Sequence, residues 1–248
     1  MITLAHIVRH PIKSIGYEEL ASASLIKGRA LPFDREWAVA HVAAKFDRLE
    51  SWQPKMNFLR GVAGPELMAI SAVSEVAARR VTLNHPTAGE ITVSPDTDGQ
   101  ALVDWLRPLW PEERPAPARV DHLPGQAMTD WPDPFISILG LPSNRALGEH
   151  LGQDLSIHRW RGNLWLDGLT PWEEFDFVGR KLRIGGAVLE VRDRITRCKA
   201  TTVNPQTGRV DADTLGALAA HYDHEDFGTY AVVVESGPIA VGDKVDVI

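Results

Sequence analysis

The residue with the most chemical promise is Cys198, the one cysteine in the chain. Arg192, Arg194, Arg197 and Lys199 crowd it in sequence, with only Asp193 opposing. Nearby cations favour thiolate over thiol, and the thiolate is the form that attacks an electrophile or ligates a metal. A lone cysteine also has a plain reading as a small buried apolar residue. From the residues alone both readings stand. The turn-rich stretch Asn204-Pro205-Gln206-Thr207-Gly208 places Cys198 near a strand end beside a loop.

Other polar residues carry weaker signals. Lys13-Ser14, Arg35 and Arg161 are types that a phosphate site needs, but each alone reads first as structural or surface charge. His221 and His224 lie among Asp223, Glu225 and Asp226, a set that reads as a solvated face before it reads as a divalent-metal site. No phosphate-cradling glycine loop, dinucleotide fingerprint or nucleophile elbow is present.

The elements that must position these residues are mostly short strands. Ile2–Val8 reads as a strand stopped by His10-Pro11, and Trp37–Val42 as another. Val81 and Leu83, then Ile91 and Val93, alternate with polar residues across a turn at 85–89. Asp98–Leu106 reads as a helix with Leu102, Val103 and Leu106 on one face. Prolines 108, 111, 115, 117 and 124 make residues 108–126 a linker in which neither helix nor central strand is expected. Beyond it come a strand at 135–139, a helix at 142–151 entered through Pro142 or Ser143, and a strand at 164–167. Hydrophobic phase changes at Gly185-Gly186, so Lys181–Arg194 reads as a hairpin that delivers the chain to Thr196-Arg197-Cys198. A helix within 213–222 and strands at 230–234 and 244–248 close the chain.

The expected class is mainly β, α+β by strict count, in two β-barrel- or sandwich-like subdomains with a few helices, cut at 117/118 into 1–117 and 118–248. The 248 residues suffice for this. A net charge of −7 argues against a general nucleic-acid binder but not against a local basic pocket. With one cysteine no internal disulfide can form, and the N-terminus lacks the basic start and apolar run of a signal peptide, so a cytoplasmic protein is expected. No stretch reaches the roughly 20 apolar residues that span a bilayer.

The segment Arg197-Cys198-Lys199-Ala200-Thr201-Thr202-Val203-Asn204-Pro205-Gln206-Thr207-Gly208 resembles the hallmark of MOSC domains, named for the C-terminal domain of molybdenum cofactor sulfurases. Three further segments agree in order. Pro11–Ser14 with Phe33–Trp37 looks like the N-terminal companion domain. Arg161–Gly168 with Pro171-Trp172 looks like the segment before the cysteine. Phe227–Tyr230 with Ile239–Val245 looks like the family's ending. The resemblance covers nearly the whole chain and extends to the amidoxime-reducing proteins. Two stretches depart from their pattern: Leu49-Glu50-Ser51-Trp52-Gln53-Pro54, where relatives show Thr-x-Arg-x-x-Pro, and Trp131-Pro132-Asp133-Pro134, where they show Asp-Thr-Ser-Pro.

The resemblance implies a molybdenum–molybdopterin cofactor lying between the two domains. Cys198 would be metal ligand and catalytic residue. Lys13, Ser14 and Arg35 would hold the pterin's phosphate and polar edge; Arg161, Asn163, Thr196 and Arg197 would meet the cofactor from the other side. At family level it also implies pyridoxal phosphate binding. The implied activity is reduction of N-hydroxylated small molecules, with a cofactor carrier or persulfide-handling protein as the alternative. No iron–sulfur cysteines are present, so a separate ferredoxin-, flavin- or cytochrome-type electron donor is expected to serve a monomer that uses neither nucleic acid nor membrane.

Overall fold

The computed structural model describes residues 1–248. Fifteen strands and three α-helices are joined by short 3₁₀ turns. The strands are β1 Thr3–Arg9, β2 Glu18–Leu20, β3 Ser22–Leu25, β4 Trp37–His41, β5 Ser71–Glu75, β6 Arg80–His85, β7 Gly89–Val93 and β8 Pro117–His122. They continue as β9 Ile136–Gly140, β10 Leu164–Asp167, β11 Lys181–Ile184, β12 Ala187–Thr196, β13 Asp226–Glu235, β14 Gly237–Ala240 and β15 Val245–Val247. The helices are α1 Gly99–Leu106, α2 Leu141–Leu151 and α3 Thr214–Tyr222.

Eight strands form one sheet in the order β15-β11-β12-β13-β9-β10-β1-β2, antiparallel except for β9 beside β10. The sheet curls until its edge meets the start of β1: Leu4 N–H donates to the Asp243 carbonyl, and Val245 N–H to the Ile2 carbonyl. This closure removes most of the exposed edge. Alternation of side chains then fills two spaces. Leu164 and Leu166 of β10, with Ile136 and Ile138 of β9, point into the barrel core, whereas Trp165 and Leu139 point outward beneath α2 and α3. Because both faces are covered, β10 is apolar at three successive positions. β10 starts hard against β9, since a side chain on Gly162 would lie 2.2 Å from Leu139.

A second core belongs to the N-terminal half. The meander β5-β6-β7 buries Val81, Leu83 and Val93 against Leu102, Val103 and Leu106 of α1. This is the hairpin and helix that the pattern predicts. The proline-rich stretch is a correction. It contains β8, which pairs antiparallel with β4 from His122 opposite Trp37 to Pro117 opposite His41. Proline is tolerated because Pro117 opens the strand and the sheet has only two strands. The cores therefore cross the expected cut at 117/118: β1 and β3 belong to the barrel side, and β8 to the N-terminal side. No helix is long and apolar enough to cross a membrane.

The entry to α2 is a second correction. Ser143 does not cap it; its hydroxyl donates to the buried carboxylate of Glu174 at 2.7 Å and accepts from the Trp172 N–H at 2.8 Å. Gly140 is the cap residue and Pro142 sits in the first turn. The hairpin β11–β12 turns at Gly185-Gly186, where Gly185 has φ +52, a conformation few side chains allow. β12 then slips register twice against β13 between Val191 and Thr196, and bulges of this kind re-aim the strand end.

Candidate functional site

Where the barrel end meets the second core lies a cavity of about 330 Å³. Lys13, Ser14, Arg35, Arg161, Asn163, Thr196, Arg197 and Cys198 all line it.

Its first wall is made by turns. Pro11 ends β1, and the Lys13 N–H donates to the Trp37 carbonyl at 2.8 Å, so the residues after the strand fold back over β4. Buried Lys13 sends its ammonium to the Met128 carbonyl at 3.0 Å and to Asp130 at 2.5 Å. Arg35 precedes β4, donates to the Arg161 carbonyl at 2.8 Å and pairs with buried Asp34. Arg161 reaches the carbonyls of Gly16 at 3.3 Å and Ile12 at 3.4 Å. Ser14, Arg35 and Arg161 have φ of 62, 49 and 50. Left-handed backbone costs a non-glycine residue about 1 kcal/mol or more, and it persists only where surrounding bonds over-determine it.

The opposite wall carries the thiol. β12 ends at Thr196, and Cys198 follows in extended backbone, its side chain exposed. Its carbonyl accepts from the Thr201 N–H and hydroxyl, both at 3.1 Å, and so starts a 3₁₀ turn over Lys199–Thr202. Buried Arg159 braces that turn from behind, donating to the Thr201 carbonyl at 2.9 Å and to Asp211 at 3.1 Å. Arg197 is committed to the Trp160 and Phe227 carbonyls. Asn163 lines the cavity, but its amide is spent on the fold: the oxygen accepts from Ser137 and the nitrogen donates to the Val8 carbonyl at 3.1 Å. The Thr196 hydroxyl donates to Asp226 at 2.6 Å.

The crowd of cations read around Cys198 in sequence is not a crowd in space. Arg192 pairs with Glu190, Arg194 lies 4.2 Å above the Phe175 ring, and Lys199 lines a neighbouring groove. A strand sends successive side chains to opposite faces, so of these four only Arg197 shares the cavity. His221 stacks on His150 at 3.9 Å, and His224 packs edge-on to Trp172 at 5.5 Å.

Lys55, Arg60, Arg159, Asp130 and Tyr230 complete the site, and sequence reasoning missed all five. Seven cations and one carboxylate, Asp130, line the cavity of a chain whose net charge is −7. Burial, with Arg35 beside it, pushes Arg161 down to about 9, and burial takes Arg197 to about 10. Burial also lowers Lys13, partly offset by Asp130. Burial alone would raise Asp130, but Lys13 and Lys55 outweigh it and hold the carboxyl below its usual range. The cavity thus lacks negative charge, and an anion entering it would relieve the strain on its cations.

Comparison with known proteins agrees with this geometry at the level of family. The chain is 35% identical over 77 residues to a molybdenum cofactor sulfurase of Drosophila grimshawi, covering 31% of this chain and 10% of that protein. It is 32% identical over 101 residues to one of Caenorhabditis briggsae, covering 39% of this chain and 14% of that protein. The matched stretches are thus a small part of those relatives' length. Among solved structures, YuaD of Bacillus subtilis overlaps with 100% of this chain and 96% of its own at 12% identity and a TM-score of 0.47. YiiM of Geobacillus stearothermophilus overlaps with 46% of this chain and 53% of its own at 20% identity and a TM-score of 0.37. At these scores neither structural likeness carries an argument about the site. The family model described as MOSC domain matches residues 132–246, the stretch that holds Cys198.

Proposed function

We propose that the cavity binds a molybdenum–pterin cofactor, with the Cys198 sulfur as metal ligand, and that the protein reduces N-hydroxylated compounds at nitrogen. The observation that carries this reading is one accessible thiol on the wall of a cavity whose cations outnumber its carboxylates seven to one. That donor set fits an anionic, phosphate-bearing group that presents a soft metal: thiolate suits the metal, and guanidinium groups suit phosphate. When bound, such a cofactor supplies a metal able to exchange two electrons and accept an oxygen atom.

The chain's own residues bind and orient. Lys13, Ser14 and Arg35 would hold the phosphate end, and Arg161 would neutralise it from the barrel side. Asn163 and Arg197 act on the fold around the cofactor through the bonds they make to backbone. The net change, R–NHOH with two electrons and two protons to R–NH₂ and water, draws its electrons from a separate donor protein.

The curated relatives bear the name molybdenum cofactor sulfurase, and that favours one alternative: the same cysteine carries a persulfide, or the cavity holds the cofactor for another enzyme. Molybdenum and pterin content, measured on protein from a cofactor-making host, tests the shared part. About one molybdenum per chain is expected, lost in Cys198→Ala. Absence of both metal and pterin from the wild type removes both readings. Turnover of an N-hydroxylated compound with an artificial electron donor then separates reductase from carrier, because a carrier binds and releases cofactor but reduces nothing.

A further inference from the structure

Six of the seven cations lining the cavity are spent within the protein. Lys13, Arg35, Arg161 and Arg197 donate to backbone carbonyls, Arg159 also pairs with Asp211, and Lys55 pairs with Asp130 at 3.2 Å. Arg60 is the exception: half-buried on the cavity wall, its guanidinium has neither a hydrogen bond nor an ion pair. A guanidinium with no partner in the protein keeps all its N–H donors free for a ligand.

Its place in the site is defined by its neighbour. A methyl group on Gly61 would lie 3.8 Å from the Ala200 methyl, which belongs to the turn that Cys198 begins. Arg60 thus adjoins in the chain a residue that meets the thiol-bearing turn, whereas Lys13, Arg35 and Arg161 are tied together on the other wall. The charge balance points the same way. Counting Asp34 behind Arg35 and Asp211 behind Arg159, three carboxylates face seven cations. One phosphate monoester, with about two negative charges, leaves positive charge over.

We propose that Arg60 is a specificity-determining residue that takes a carboxylate or phosphate group on the ligand that reacts beside Cys198, so that the preferred substrate is itself an anion. The assignment rests on the cavity holding, through Cys198, the metal at which the substrate reacts, as proposed above. A planar guanidinium gives two parallel N–H donors to either anion. It also raises the local concentration of anionic reactants.

The first arm needs no cofactor. The full chain, from a host that cannot make the pterin, is alkylated at its one cysteine with anionic iodoacetate and neutral iodoacetamide. The iodoacetate-to-iodoacetamide rate ratio is expected to exceed that of free glutathione and to fall about threefold to tenfold in Arg60→Gln. Arg60→Lys keeps most of it, and about 0.5 M salt shrinks it in the wild type. Arg192→Gln, whose parent pairs with Glu190, leaves it unchanged. An equal ratio in wild type and Arg60→Gln overturns the proposal, whether or not molybdenum binds.

The second arm separates the two sources of the anion. Arg60→Gln that keeps its molybdenum, with KM raised about tenfold for a carboxylate-bearing N-hydroxylated substrate but not for a neutral one, supports the substrate assignment. Loss of molybdenum and pterin from Arg60→Gln assigns the anion to the cofactor and overturns that part. Failure of the wild type to bind molybdenum removes the reductase reading and leaves the alkylation result standing.

Discussion

On one side of the cavity Lys13, Arg35 and Arg161 are buried or half-buried and donate to backbone carbonyls, and three residues hold left-handed backbone to make this possible. On the other side Cys198 is exposed, and only the backbone of its turn is fixed, by Thr201 and through it by Arg159. The first wall spends side chains to lock a charge pattern. The second locks its backbone so that one side chain can be left free. A wall of the first kind is suited to holding a ligand and one of the second to reacting with it, because preorganised charge costs nothing further when an anion arrives. A nucleophile or ligand that is already bonded would have to break that bond first.

The contrast predicts opposite consequences for substitution. Cys198→Ala should abolish molybdenum retention yet leave the unfolding free energy within about 0.5 kcal/mol, since an exposed side chain with no partner contributes little to the fold. Parallel metal analysis and urea unfolding check this. A destabilisation of several kcal/mol would mean that the thiol is structural and that the walls do not differ in the way described.

Arg159→Met attacks the brace instead. The change leaves the Thr201 carbonyl without its donor and Asp211 with only that of Asn204, in a place where Arg159 is 2% exposed. Removing one partner from a buried charged network costs about 3 kcal/mol, lessened here because Asp211 is partly solvated. The expected accompaniment is faster alkylation of Cys198 as its turn loosens. A stability loss below about 1 kcal/mol would show that the turn holds itself.

Sequence periodicity carried seven of the eight strands of the large sheet, the hairpin into Cys198 and all three α-helices, because each buries a regular face, but not the short strands β2, β3, β5 and β14. It missed β8, whose prolines hide an edge strand that has only β4 to pair with. Within the site, the eight residues carried over from the family resemblance all line one cavity. Asp130 was illegible because its meaning is an ion pair with Lys13, 117 residues away. Arg159 was illegible because it reaches a loop 42 residues on. The cations around Cys198 misled for the converse reason: strand geometry sends neighbours in sequence to different faces.

The locked wall also predicts an acid limb. Burial alone would raise the Asp34 carboxyl, but Arg35 and His10 outweigh it and hold it at about 2, against an ordinary 3.8. A depressed carboxyl stabilises the fold fully above its unfolded pKa, so the contribution stands above about pH 4 and is lost as pH falls toward 2, about 2 kcal/mol in all. His10 lies well below the ordinary imidazole value through burial and nearby Arg35 and Arg161. Its contribution has the same sense: present above about pH 6.5 and lost as pH falls below it. Chemical unfolding from pH 7 to pH 2 should therefore fall less steeply for Asp34→Asn than for the wild type below pH 4. Parallel curves would show that the Arg35 pair contributes nothing.

The smallest expected effect concerns Arg192. It is six residues before Cys198 and counts among the cations that favour a thiolate on sequence grounds, but its guanidinium lies 3.1 Å from Glu190 on an exposed stretch of β12. Exposed charges more than about 10 Å apart are screened in ordinary salt, and an exposed ion pair contributes at most about 1 kcal/mol to folding. Arg192→Gln should thus leave the pH profile of Cys198 alkylation and the stability unchanged within error. A shifted profile would mean that charge reaches the thiol along the strand rather than across the cavity, and the electrostatics of the reacting wall would then have to be sought in β12 itself.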